Sequence, residues 1–317
     1  MEFHSVLCVT VSVIFFASEV TAASGWDYHA QHQWPGACRV GIAQSPINID
    51  SQQAVLDRHG VHLRGPLRLS GYDDVAMEAV NNGHTLKWSV KYGSRPVISG
   101  GPLRSNYTLL QFHLHWLSEH AINSLKYPME IHFVHIKQGL SLARALELPD
   151  GLAVVAVLGQ VDNRITSQYA IQQLMHTVPS LLEKTSEPVQ AGDIDISNFL
   201  SPNPQSYYTY QGSLTTPDCN EAVTWIVMDK PIFISDLQYN LITKTDVGGP
   251  MNYRSLQPVN RVVYRSAANC LSLAGPSLLV TLGTIAKCLS LNTFGGLTNA
   301  LLKFKDIKKK LITGKTA

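Results

Sequence analysis

Charge is sparse in this sequence. Charged residues make up 15% of its 317 residues, and the formal net charge is +2. That balance argues against nucleic-acid binding as the main task. Cysteine is scarce as well. Of the five, Cys8, Cys38, Cys219, Cys270 and Cys288, only Cys38 and Cys219 fall where the chain reads as globular, and the sequence alone leaves their pairing open. No internal repeat and no linker interrupts residues 23 to about 265, which excludes a repeat array and leaves material for one large domain or two ordinary ones. Lysine and arginine are absent from Met1–His4, and the apolar run from Val6 to Ala17 is too short for a comfortable membrane span. Small residues at Val20-Thr21-Ala22 precede a cut expected at Ala22/Ala23, so residues 1–22 read as a secretory leader. An oxidising compartment follows. Asn106-Tyr107-Thr108 is the one N-x-S/T sequon, which makes Asn106 the glycan acceptor to expect.

What the chain does contain is a series of short β-rich runs between Gly, Pro and Asn: Leu67–Leu69, Val75–Val80, Thr85–Tyr92, Leu109–Trp116, Glu130–Lys137, Leu152–Gly159 and Val223–Met228. They predict a mainly β domain. The spacing of Ile171, Leu174 and Met175 predicts a helix over Ile165–Leu182, and Ser235 before Asp236-Leu237 predicts a second, shorter one. After about residue 266 the composition changes. Leu271 to Leu291 is largely apolar with Lys287 as its only charge, and Lys303, Lys305, Lys308, Lys309, Lys310 and Lys315 follow. The residues 266–317 therefore read as a tail, either membrane-associated with its lysines on the inner side or an extension with no membrane role. Gly275, Pro276, Gly283 and Lys287 interrupt the apolar run.

Two stretches carry chemistry. In "QFHLHW", Gln111 to Trp116, strand alternation puts Gln111, His113 and His115 on one face. In "EIHFVHI", Glu130 to Ile136, it groups Glu130, His132 and Val134. Pairing the two strands brings His132 beside His113 and His115. Three imidazoles with an open position form a ligand set of catalytic zinc. Gln111 and Glu130 share those faces and suit the role of acceptors for the other ring N–H groups. A bare H-x-H is more often a pair of ordinary polar residues; the third histidine and the matching acceptors shift the balance to metal.

These stretches, with Ser118-Glu119-His120, resemble the α-class carbonic anhydrases. So do Gln44-Ser-Pro-Ile-Asn-Ile49, Asn82-Gly-His84, Gly212-Ser-Leu-Thr-Thr-Pro217, "EAVTWIV" (Glu221–Val227), Asn252-Tyr-Arg254, Gln257-Pro258 and Asn260-Arg261, in the family's order. The resemblance implies a domain over 23–265, mainly β with short peripheral helices around a central twisted, mostly antiparallel sheet. It implies reversible hydration of carbon dioxide to bicarbonate and a proton by a zinc-bound hydroxide, with Zn2+ on His113, His115 and His132 and inhibition by sulfonamides. It casts Thr215 as acceptor for the hydroxide and Glu119 as acceptor for Thr215. His84 becomes the proton shuttle, with Tyr28 and Asn82 ordering the connecting water. Val134, Val154, Leu214, Thr216, Val223 and Trp225 form the carbon dioxide pocket, and Cys38 bridges to Cys219 as in extracellular and membrane-bound members. His120 and His135 are expected to be structural.

One departure stands out. Only Leu117 separates Trp116 from Ser118, where the family has several more residues. If those residues set the path of the chain, Glu119 misses Thr215 and activity weakens before metal binding does. The rival to a secreted or cell-surface enzyme is thus a catalytically impaired ectodomain used for binding or adhesion.

Overall fold

The computed structural model describes residues 25–57, 63–91, 93, 95–200 and 204–266. The expected leader and the tail beyond Ser266 lie outside the described residues. Ten strands run across the main sheet: β1 (Val55–Leu56), β2 (Val75–Asn81), β3 (Leu86–Val90), β4 (Tyr107–His115), β5 (Met129–Lys137), β6 (Leu152–Val161), β7 (Val189–Ile194), β8 (Tyr207–Gly212), β9 (Val223–Met228) and β10 (Tyr264–Arg265). Their order in space is β7-β2-β3-β4-β5-β6-β9-β8-β10-β1, and three shorter strands attach at its sides. The β6–β9 and β10–β1 pairs are parallel and the rest of the path is antiparallel. The mainly β, mostly antiparallel architecture is the one expected.

Alternation decides which side chains meet. On β2 and β3 every second residue is buried, as a half-covered sheet requires. The central strands are buried on both faces. One face of β5 and β6 sends Met129, Ile131, Phe133, Ala153, Val155 and Val157 into the large core. The other sends Val134, Val154 and Ala156 into a smaller core shared with Val223 and Trp225. An aromatic group braces the large core: Trp88 stacks on Phe112 at 5.2 Å, and Phe112 lies 5.3 Å from Phe133 and 5.6 Å from Phe199. Phe112 thus anchors β4 from behind, on the face opposite His113.

The predicted long helix is corrected by the structure. Only Tyr169–Leu174 is α-helical, followed by a 3-10 turn at Val178–Leu181. Gln168 caps the start, accepting from the Ile171 amide at 3.0 Å. Pro179 lacks the amide that a continuing helix would use. The shorter helix forms as predicted over Asp236–Ile242, with Ser235 and Gln238 in a reciprocal cap.

Segments remote in sequence converge beside β4 and β5. Ser45 and Ser213 exchange amide-to-hydroxyl bonds at 2.9 and 3.0 Å. The Arg254 guanidinium donates to Gln44 Oε1 and the Ser45 carbonyl. Cys38 and Cys219 form a disulfide, and the Cys219 amide donates to the Thr216 carbonyl at 2.8 Å. The loop after β8 is therefore pinned to the N-terminal region.

Candidate metal centre

In the β4–β5 register His113 stands opposite His132, and His115 opposite Glu130. The predicted pairing of the two strands is the observed one. Nitrogens of His113, His115 and His132 all lie within 4.8 Å of one another. Each ring has its remaining nitrogen engaged. His113 Nδ1 donates to Gln111 Oε1 at 3.0 Å, His115 Nδ1 to the Asn252 carbonyl at 2.5 Å, and His132 Nε2 to Glu130 Oε1 at 2.6 Å. These acceptors have no proton to give, so each ring must donate at that nitrogen, and the opposite one keeps its lone pair. His115 Nε2 is buried with no hydrogen-bond partner among the described residues. Burial first, then the neighbouring His115 and His132, hold His113 well below the usual histidine range. Burial also lowers His115. Neutral imidazoles are what a metal needs.

Glu130 is fully buried. Its Oε1 also receives His120 Nδ1 at 2.6 Å, and Oε2 receives the His120 amide at 2.8 Å. Burial would raise its pKa, but His120 and His132 outweigh that and hold the carboxylate ionised. His120 Nε2 lies 2.6 Å from the Tyr210 hydroxyl. His135 is held by Tyr72 and the Ala153 carbonyl. Both rings are fully engaged.

A family model for eukaryotic-type carbonic anhydrase matches residues 25–267. The chain belongs to that family. It is 37% identical over 294 residues to "Putative carbonic anhydrase 5" of Caenorhabditis elegans, covering 81% of this chain and 88% of that protein. It is 33% identical over 305 residues to mouse carbonic anhydrase 4 (86% and 95% covered). It is 31% identical over 283 residues to human carbonic anhydrase 6 (82% and 89% covered).

With the carbonic anhydrase pattern in hand, each expected residue has a definite place. A cavity of about 300 Å³ is lined by His113, His132, Val134, Val154, Leu214, Thr215, Thr216 and Trp225, together with Gln111 and Lys87. Val223 is absent from that lining; it is fully buried in the core with Val154 and Trp225. The shortened segment still delivers Glu119 to the centre. The Ser118 amide and hydroxyl bond to the Tyr127 carbonyl and amide, and Lys126 Nζ bonds to the Ser118 carbonyl. Glu119 is fully buried, with Oε1 accepting from the Arg254 amide at 2.7 Å. Its Oε2 lies 3.6 Å from His115 Nε2 and 3.8 Å from His132 Nδ1. That oxygen has no hydrogen-bond partner among the described residues, so the bond expected from Thr215 is not made.

His84, Tyr28 and Asn82 do not line the cavity. His84 stacks on Trp26 at 3.8 Å, and its buried Nε2 has no hydrogen-bond partner among the described residues. Burial first, then Lys184, lowers its pKa, while Asp27 opposes. Asn82 Oδ1 accepts from the His84 and Thr85 amides and so shapes the turn that presents His84. Tyr28 is buried against Trp34 and Cys219, and burial followed by Glu119 pushes its pKa up. Two site residues escaped the sequence reading. The His115 acceptor is the backbone carbonyl of Asn252, which any residue supplies, so the Asn252-Tyr-Arg254 stretch did not mark that role. Lys87 passed as one more polar position on a strand.

Proposed function

We propose that this chain is a zinc enzyme interconverting carbon dioxide and bicarbonate, with His113, His115 and His132 as the metal ligands. One observation carries the reading: three imidazoles, two buried and one half-buried, each fixed by an acceptor on its far side, their other nitrogens within 4.8 Å of one another where His113 and His132 line a cavity. The donor set suits zinc. Zinc held by three neutral imidazoles lowers the pKa of its bound water to about 7, a value general to carbonic anhydrases and not obtained from this chain.

The chain's own residues do the rest. Gln111, Glu130 and the Asn252 carbonyl fix the ring orientations. The Thr215 hydroxyl, on the cavity wall, would orient the reacting water by accepting a hydrogen bond from it and donating its own to Glu119 Oε2, a bond this structure does not yet make. Val134, Val154, Leu214 and Trp225 give carbon dioxide an apolar wall, and Thr216 borders it. Carbon dioxide and water yield bicarbonate and a proton. His84, half-buried and outside the cavity lining, is the residue we assign to take that proton toward solvent, on the family resemblance of its turn. The resemblance assigns Asn82 and Tyr28 to the water path to it, though neither lines the cavity.

The unmade bond between Thr215 and Glu119 is the observation that favours the second reading, an impaired binding module. The disulfide fits the extracellular placement, secreted or on the outer face of the plasma membrane. Asn106 is exposed, as a glycan acceptor must be. Membrane association through the tail is a separate proposal. Stopped-flow hydration of carbon dioxide tests the enzyme reading. The rate is expected to vanish when a chelator strips the metal, return with added zinc, and fall to background in His113→Ala. A rate indifferent to all three would refute it.

A further inference from the structure

The cavity at the metal centre carries one feature that neither the ligand set nor the carbon dioxide wall uses. Lys87 lies on β3 directly opposite His113 of β4. It lines the cavity beside Gln111 and His113. Its side chain makes no hydrogen bond and no ion pair among the described residues. The acids near the centre do not pair with Lys87: Glu130 holds two histidines, and Glu119 receives the Arg254 amide on Oε1 and turns Oε2 toward His115 and His132. None of the described residues lining the cavity is acidic. Lys87 is only partly exposed, so its ammonium faces a half-enclosed space with no internal counter-ion.

We infer that Lys87 forms an anion-holding subsite beside the metal, one that binds the bicarbonate ion and carboxylate-type anions of similar size. An ammonium is a compact point charge with three donors on a flexible stem. It attracts a carbonate-type oxyanion without demanding one fixed geometry. Carbon dioxide carries no charge and gains nothing from it. The subsite therefore acts on one side of the reaction only, retaining bicarbonate and setting how strongly it inhibits hydration as product. The inference rests on the enzyme reading above.

The test uses bicarbonate as the probe and an uncharged benzenesulfonamide as the reporter, on zinc-loaded full-length protein and on Lys87→Gln and Lys87→Arg. The sulfonamide's Kd is measured first, then bicarbonate is titrated against it at fixed ionic strength. A partly exposed ion pair predicts that the bicarbonate inhibition constant rises about three- to tenfold in Lys87→Gln. Lys87→Arg restores most of it, and each bicarbonate constant is calculated with the sulfonamide Kd measured on that same protein. Raising the salt narrows the difference between wild type and Lys87→Gln, because ions screen the charge. Equal bicarbonate constants in wild type and Lys87→Gln, with the sulfonamide still bound, would overturn the inference and leave the enzyme reading standing. Failure of the sulfonamide to bind any of the proteins would count against the enzyme reading instead. The same bicarbonate ratio is then read from amide NMR shifts at Lys87, Gln111 and His113, and a ratio of one there overturns the inference too.

Discussion

Glu130→Gln probes the metal centre one step behind its ligands. Glu130 Oε1 takes two ring N–H groups, from His132 and His120, each at 2.6 Å, and Oε2 takes the His120 amide at 2.8 Å. Glutamine keeps one acceptor oxygen and replaces the other with a donor. If its oxygen faces the two rings, its NH2 meets the His120 amide, donor against donor, in a fully buried place. Leaving such a group unpaired costs about 1–3 kcal/mol. The metal suffers separately. Without the negative charge the His132 ring is a weaker base, and loss of such a supporting acceptor lowers metal affinity about 10- to 100-fold. The two effects are read by two assays. Competition against a fluorescent zinc chelator gives the Kd, expected to rise at least about tenfold. Urea unfolding of the metal-free protein gives the stability, expected to fall by about 1–3 kcal/mol. A zinc Kd within twofold of wild type in a folded variant would refute the orientation argument.

Three further outcomes follow from the same geometry. Gly212→Ala would put a methyl group 2.7 Å from a Tyr210 ring carbon and 2.8 Å from Trp225 Cδ1, closer still to Ser45 Oγ; overpacking of about 1–3 kcal/mol should appear as a lower urea midpoint, and an unchanged midpoint would contradict it. Cys38→Ser opens a link that spans 181 residues, so thermal unfolding should show a loss of about 2–5 kcal/mol, absent if the bridge does not form in the purified protein. In acid, burial holds His135 at about 4 against about 6.5 when unfolded. The unfolded chain then binds the extra proton between those values, so stability is full above about 6.5 and falls by about 3 kcal/mol as pH drops to 4. Urea unfolding in excess chelator, at pH 7.5 and 4.5, should show that loss, and His135→Gln should flatten it; a slope unchanged in the variant would assign the loss to other groups.

Much of the site was legible because strand alternation is a strong local rule. His113, His115 and His132, with Gln111 and Glu130, could be placed on facing strand surfaces from spacing alone, and the register puts His113 opposite His132. The strands Leu152–Val161 and Val223–Met228 showed as apolar runs because both their faces are buried. Other parts were harder. β7 (Val189–Ile194) buries only Ile194 and shifts register near Gly192, so it carries little apolar alternation to read. β8 (Tyr207–Gly212), rich in tyrosine, was passed over even though its composition suits a strand. The long helix failed because apolar spacing at Ile171, Leu174 and Met175 says nothing about where Pro179 breaks it. Pocket residues divided on depth: Val154 reaches the cavity and Val223 does not, a difference of packing that letters do not encode. The state of the Thr215–Glu119 pair depends on where Leu117 lets the chain pass, which the sequence poses as a question.

That pair sits at the centre of the account, and turnover measured on protein of known zinc content tests it most directly. The initial rate of carbon dioxide hydration by the purified chain should rise in proportion to bound zinc, be blocked by a sulfonamide, and fall sharply in Glu119→Gln. Stoichiometric zinc with no hydration above background would contradict the account, and would mean that the metal centre is assembled while Glu119 and Thr215 fail to orient the reacting water.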